Sequence, residues 1–148
     1  MKKVLFLSFI AILSIGVAVA YNSTDDDRPV AAAELPKKIQ DFVKKHFAGS
    51  EISYAKKDKG LVYEEFEVVL TNGAKIEFDK HNEWEEVDCE RGEVPASIIP
   101  KAIGDYLTKH YPKTRVEKIS RGRGYEVELS NDLELEFDKS GKLLRVDD

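Results

Sequence analysis

Acidic side chains recur at every second position along several short segments of this chain. Glu65 and Glu67, Glu77 and Asp79, Glu86 and Asp88, Glu126 and Glu128, and Glu134, Glu136 and Asp138 follow that spacing. On an extended strand, side chains two residues apart share a face. Such rows can attract a basic protein or peptide, or coordinate a cation such as calcium. A buried pair could instead act as general acid and base, but that needs one carboxyl set apart by a pocket and a raised pKa. No pair here is distinguished from the rest in that way. A solvated acidic face needs no ligand at all. Trp84 stands two residues before Glu86, so simple alternation predicts an exposed aromatic among the acids, a typical anchor for a partner. The expected partner-binding set is Trp84, Glu65, Glu67, Glu77, Glu86, Glu126, Glu128 and Glu136. Lys56, Lys75 and Arg145 are placed to relieve part of the repulsion between opposed acids.

Other chemistries find little support. Asp79 to Glu90 has the length and acidic ends of a helix-loop-helix calcium loop. His81 and Trp84, however, stand where that loop uses an oxygen ligand and a glycine. Asp79 and Asp138 read first as hairpin-turn residues whose carboxylates accept hydrogen bonds from following N–H groups. Together with Asp88 they are the metal-ligand candidates if calcium binds more loosely between acidic strands. His46 and His110 each follow a lysine near a helix C-terminus, where a cation complements the helix dipole. Neither has a second His or Cys at zinc spacing. Nucleophile elbows, Ser-His-Asp order and phosphate loops are absent from the sequence. The chain reads as a non-enzyme that requires no cofactor, with calcium the one ligand to test. Cys89 is the single cysteine, so no internal disulfide can form. It is either a small buried apolar residue or half of an intermolecular disulfide.

The elements that must carry these acids follow from periodicity. Leu35, Ile39, Phe42, Val43 and Phe47 form one apolar stripe at helical spacing, opened by Pro36 and ended by Ala48-Gly49-Ser50. The period then changes to two. Strands are predicted over 51–57, 63–70, 74–79 and 83–89, with Asn72-Gly73 as a tight hairpin turn. After Glu90-Arg91-Gly92-Glu93, an extra helical turn is predicted from Val94 to Pro100. A second helix then spans Pro100–Tyr111, followed by strands at 115–121, 124–130, 133–138 and 142–147. In this second half the expected core face carries Tyr125, Val127, Leu129, Leu133, Leu135, Phe137, Leu144 and Val146.

The second half repeats the first. Pro36-Lys37-Lys38-Ile39 through His46-Phe47 returns as Pro100-Lys101-Ala102-Ile103 through His110-Tyr111. Phe66-Glu67-Val68-Val69-Leu70 returns as Tyr125-Glu126-Val127-Glu128-Leu129, and Ile76-Glu77-Phe78-Asp79-Lys80 as Leu135-Glu136-Phe137-Asp138-Lys139. This predicts an α+β fold of tandem helix-plus-antiparallel-sheet units, residues 34–89 and 90–148, with helices on one face. Ahead of them, Met1-Lys2-Lys3, the apolar run from Val4 and Ala18-Val19-Ala20 have the pattern of a signal peptide spanning 1–20. Residues 21–33, with Asp25-Asp26-Asp27, read as a flexible tether. Cleavage removes Lys2 and Lys3 and moves the formal charge from -5 to -7. Such an acidic chain repels nucleic acid and anionic lipid. The expectation is a periplasmic or secreted protein, with no membrane insertion after cleavage and an exported protein or peptide as partner.

The paired helix and strand motifs, with the closing Val87-Asp88 and Val146-Asp147, resemble the PepSY-like family of small exported proteins typical of Bacteroidetes. The resemblance covers Leu35 to Asp148. It implies a fold similar to beta-lactamase-inhibitor protein, with two sheets joined into one curved sheet and the helices on one side. It also implies a role in peptidase inhibition or protein binding, and some members are described as calcium-responsive. No inhibitory loop residue carries over, because the match is confined to the structural repeat.

Overall fold

A computed structural model describes residues 28–59, 64–90 and 92–148. The expected signal peptide, the tether up to residue 27 and residues 60–63 at the junction of the first two predicted strands lie outside the described residues. The order of elements is β1 (Arg28–Pro29), a 3-10 turn (Ala32–Glu34), α1 (Lys37–His46), β2 (Ile52–Lys59), β3 (Glu64–Leu70), β4 (Lys75–Phe78), β5 (Trp84–Asp88), α2 (Lys101–His110), β6 (Val116–Arg121), β7 (Tyr125–Leu129), β8 (Glu134–Phe137) and β9 (Leu143–Asp147). The strands form one open antiparallel sheet in chain order, nine strands among the described residues. The fold is α+β.

Each helix starts immediately after a proline. Pro36 and Pro100 are N-caps with φ near -50° and extended ψ, so the N–H they lack is one that a helix start leaves unbonded anyway. Ion pairs Lys37–Asp41 and Lys101–Asp105 lie one turn apart on the exposed sides. The opposite sides bury Ile39 and Val43, and Ile103 and Leu107. They pack on a continuous core that includes Val68, Ile76, Phe78, Val127, Leu135 and Phe137. No charged or polar side chain is buried among the described residues. Cohesion therefore rests on apolar burial, about 1.5–3 kcal/mol for each large side chain fully removed from water.

Positive φ recurs at the hairpin turns. Gly73 and Asp132 both take positive φ, and so do Asn82 and Gly141. Glycine, asparagine and aspartate are the residues that tolerate this left-handed region.

Three expectations need correction. The segment Val94–Pro100 is not helical; Ile98 donates to Pro95 O at 2.9 Å to close a single turn. Pro100 disfavours helical backbone at Ile99, so the turn cannot run on into α2. The last part of the tether is anchored rather than loose: Arg28 and Pro29 pair with Lys57 and Lys56. Leu144 is not a core residue but is 63% exposed, and it is Leu143 that packs on the core. The cause is a β-bulge. Glu136 pairs with Arg145 but Phe137 pairs with Leu143, so Leu144 is an extra residue that shifts the alternation.

Candidate functional site: the open acidic sheet face

Register assembles the acids into rows. Across the sheet, one row runs Lys56, Glu67, Glu77, Glu86, Ser120, Glu126, Glu136, Arg145. The next runs Val69, Lys75, Asp88, Lys118, Glu128, Glu134, Asp147. Between them runs the buried row of Val68, Ile76, Val87, Ile119, Val127 and Leu135. Since alternate side chains point to opposite faces, both charged rows face away from the helices. Glu65, opposite Asp58, extends the same face.

Trp84 is not on it. Glu77 pairs with Glu86 while Phe78 pairs with Trp84, so Glu85 is the bulged residue, equivalent to Leu144. The bulge turns Trp84 to the helix side, where it packs partly buried against the core. Arg121 lies 5.0 Å from its ring and donates to its carbonyl oxygen. Strict alternation carried no sign of the extra residue. It therefore put Trp84 on the acidic face and left Glu85 off it.

Cations thread the rows. Lys75 lies 3.0 Å from Glu77 and 3.8 Å from Glu67, and Lys56 lies 3.8 Å from Glu67. Arg145 reaches Glu136 at 2.7 Å and Asp147 at 2.6 Å. Lys118, which pattern reasoning overlooked because a bulge at Glu117 hides its phase, pairs with Glu86 at 3.1 Å. Burial pushes the Lys118 ammonium down, but Glu86, Asp88 and Glu128 outweigh it and hold its pKa above the usual value.

The acids still outnumber these cations, and their pKa values record the crowding. Burial first, then Glu134 and Glu136, raise Glu126 above the usual carboxylate range. Burial, Asp79, Glu65 and Glu77 raise Glu85. Glu128 is raised by burial, Asp88 and Glu134 against the opposing pull of Lys118. Two shallow depressions occupy equivalent places on this face. One, of about 240 Å³, is walled by Lys56, Asp58, Glu65, Glu67, Glu77 and Glu85. The other, of about 390 Å³, has Gly122, Gly124 and Leu144 at the positions of Asp58, Glu65 and Glu85. A side chain at Gly124 would put its Cβ 2.1 Å from Phe137 O, so β7 and β8 meet there only because Cβ is missing.

The three aspartates expected as metal ligands do not converge. Asp79 Oδ1 accepts from the His81 and Glu83 N–H groups, at 2.8 and 2.9 Å. Asp138 Oδ1 accepts from the N–H groups of Ser140 and Lys142 and from the Ser140 hydroxyl. Asp88 Oδ1 accepts from Glu90 N–H. Asp79 and Asp138 are turn residues, and Asp88 ends β5 and caps the turn that follows it. Among the described residues, the carboxylates that do come together are Glu126, Glu134 and Glu136, with oxygens within 4.8 Å of one another.

The remaining candidates are structural. Cys89 is buried, and burial plus Asp88 push its thiol up to about 11. Such a thiol is inert near neutral pH. His46 Nδ1 lies 2.7 Å from Ser97 Oγ, and burial and Lys45 lower its pKa. At neutral pH the neutral ring bonds Ser97, in place of the cation expected at the helix end.

Comparison with known proteins gives a consistent result. No curated protein matches this chain. A periplasmic protein of Bacteroides thetaiotaomicron, described as "putative calcium-regulated", is 46% identical, with a TM-score of 0.79 over 84% of this chain and 98% of that one. Two periplasmic proteins of Bacteroides vulgatus are also similar. One is 37% identical, with a TM-score of 0.79 over 84% and 99% of the two chains. The other is 35% identical, with a TM-score of 0.77 over 82% and 99%. No helix among the described residues is long and apolar enough to cross a membrane. The family model described as "Putative beta-lactamase-inhibitor-like, PepSY-like" matches residues 64–145, and the chain belongs to this PepSY-like family of periplasmic proteins.

Proposed function

We propose that this protein is a non-catalytic periplasmic binding module, built from two duplicated units in the manner of beta-lactamase-inhibitor protein, whose open sheet face takes a lysine- or arginine-rich segment of an exported protein or peptide. The observation that carries this reading is the direct opposition of Glu67, Glu77 and Glu86, and of Glu126 and Glu136, across neighbouring strands. Like charges placed opposite each other destabilise a sheet. A cationic ligand relieves that repulsion, and the bound state gains what the free state lacks. The depression walled by Lys56 and by the five acids Asp58, Glu65, Glu67, Glu77 and Glu85 has acids in excess of its one cation and so favours the ammonium end of one side chain, and its counterpart beside Leu144 fits an aliphatic stem. Trp84 plays no part, because it lies on the helix side.

The test is binding of labelled oligolysine, oligoglutamate and an uncharged peptide of equal length. The expected result is salt-sensitive binding of oligolysine alone, weakened by Glu77→Gln with Glu136→Gln. Equal binding of all three peptides, or of none, would overturn the reading.

A second reading places calcium on Glu126, Glu134 and Glu136. It rests on the proximity of their oxygens, with the "calcium-regulated" relative as a supporting hint. Calcium takes six to eight oxygens, so water would complete the shell. Calorimetry with calcium decides this: heat of binding that Glu134→Gln abolishes supports it, and no heat at millimolar calcium removes it.

A further inference from the structure

The two edges of the sheet are finished differently. At one, β1 covers the later part of the β2 edge, at Lys56 and Lys57, and Pro29 there has no N–H to offer a further strand. At the other, β9 ends the sheet with nothing beyond it among the described residues. The buried row shows the consequence. Ala55, Val68, Ile76, Val87, Ile119, Val127 and Leu135 are each at most 2% exposed, while Val146, next in the same row, is 39% exposed.

The chain contains its own example of this edge when paired. β9 is the counterpart of β5, with the same bulge at the equivalent residue, Leu144 for Glu85. The outer edge of β5 carries β6, through Glu86–Ser120, Val87–Ile119 and Asp88–Lys118. Cys89 N–H donates to Glu117 O at 2.8 Å, and antiparallel alternation then turns the N–H and C=O of Val87 toward β6 as well. By the same phase Val146 turns its N–H and C=O outward, while Arg145 and Asp147 bond inward to β8. With β6 seated, Val87 is 0% exposed.

We propose that β9 pairs antiparallel with β9 of a second copy of this chain, about a two-fold axis at Val146. The register is set by charge. With Val146 opposite its twin, Arg145 of each copy stands opposite Asp147 of the other, so two complementary pairs form on the open face. A shift by two residues in either direction loses at least one of them. The two Val146 side chains cover each other on the helix side, as Val87 and Ile119 do within one chain. The acidic rows of both copies then form one continuous surface, whatever ligand that surface takes.

Sedimentation of the chain purified from the periplasm tests this. The expected result is a reversible dimer. Val146→Pro removes the outward N–H without touching the β8 ladder, and the variant is expected to keep its circular dichroism spectrum while sedimenting as a monomer. Arg145→Asp and Asp147→Arg each set like charges opposite at two points, so each alone is expected to dimerise at least about tenfold more weakly. Mixed together, they restore opposite charges at both points and are expected to dimerise with each other. A chain that stays monomeric up to millimolar concentration overturns the pairing and leaves the edge to a different strand. So does a dimer that Val146→Pro leaves intact, or a mixture no tighter than either charge variant alone.

Discussion

Glu126→Gln is expected to stabilise the protein at neutral pH, although it deletes a charge near the centre of the proposed binding face. The carboxylate oxygens of Glu126, Glu134 and Glu136 lie within 4.8 Å of one another. Two unit charges at that separation repel by about 0.9 kcal/mol in water and by about 3.5 kcal/mol at an effective dielectric of 20. These side chains are only partly buried, so the value lies toward the water end, in line with about 0.2–1 kcal/mol for opposed charges on strands. Arg145, 2.7 Å from Glu136, offsets most of that neighbour's effect and leaves Glu134 as the main source of repulsion. The amide also gains a donor for the Glu134 carboxylate. The expected gain is about 1 kcal/mol, or about 4 °C in melting temperature for a chain of this size.

The sign of the pH dependence follows from the raised pKa of Glu126. A carboxyl with a higher pKa folded than unfolded binds more protons in the folded state, so its contribution to stability falls as pH rises through that window. At acid pH the wild-type side chain is protonated and its cost is gone. The advantage of Glu126→Gln should therefore be present at neutral pH, shrink as pH falls through the raised folded pKa toward the usual carboxylate value, and be gone below that value. The assay is thermal unfolding by circular dichroism across that range, in chelator so that calcium plays no part. A variant less stable than wild type at neutral pH, or a gain independent of pH, would refute the electrostatic reasoning.

Further expectations concern the residues that hold the face in place. Trp84→Ala should cost about 2–3 kcal/mol through lost packing and the lost Arg121 contact, yet leave oligolysine affinity unchanged; denaturant unfolding and a binding titration measure the two effects. Gly141→Ala should destabilise by about 1–3 kcal/mol, because Gly141 has φ +84° and an added Cβ would lie 2.7 Å from the Ala102 side chain; urea midpoints measure this. Cys89 should react with a thiol reagent at neutral pH only on unfolding, given its burial and a thiol pushed up to about 11; a labelling rate unaffected by denaturant would contradict this.

Much of this arrangement was legible from residue spacing. The apolar stripe of Leu35, Ile39, Phe42, Val43 and Phe47 marked the first helix and the return of its motif at Pro100–Tyr111 marked the second, and the two-residue period of Glu65-Glu67 and Glu126-Glu128 marked strands with one acidic side. Asp79 and Asp138 were readable as turn residues because a short carboxylate can bond the N–H groups that follow it. What alternation could not show was where it breaks. Bulges at Glu85 and Leu144 each insert one residue, and each reverses the facing of its neighbour. Trp84 was misplaced for that reason, and Leu144 with it. The pairing of Glu126 with Glu136 was also out of reach, since register between strands depends on the full set of hairpin geometries and not on any one segment. The difference between Tyr54 and Lys118 at equivalent positions concealed a cation that reaches Glu86 from the other half of the sheet.

The claim at the centre of this account is that the acidic sheet face, and not the helix side, receives a cationic segment. An amide chemical-shift map of the chain titrated with oligolysine tests it most directly. The account predicts saturable, salt-sensitive shifts centred on Glu67, Glu77, Glu86, Glu126 and Glu136, with the exposed turns of α1 and α2 unmoved. Shifts confined to the helices, or an acidic face that stays silent at saturating peptide, would contradict it.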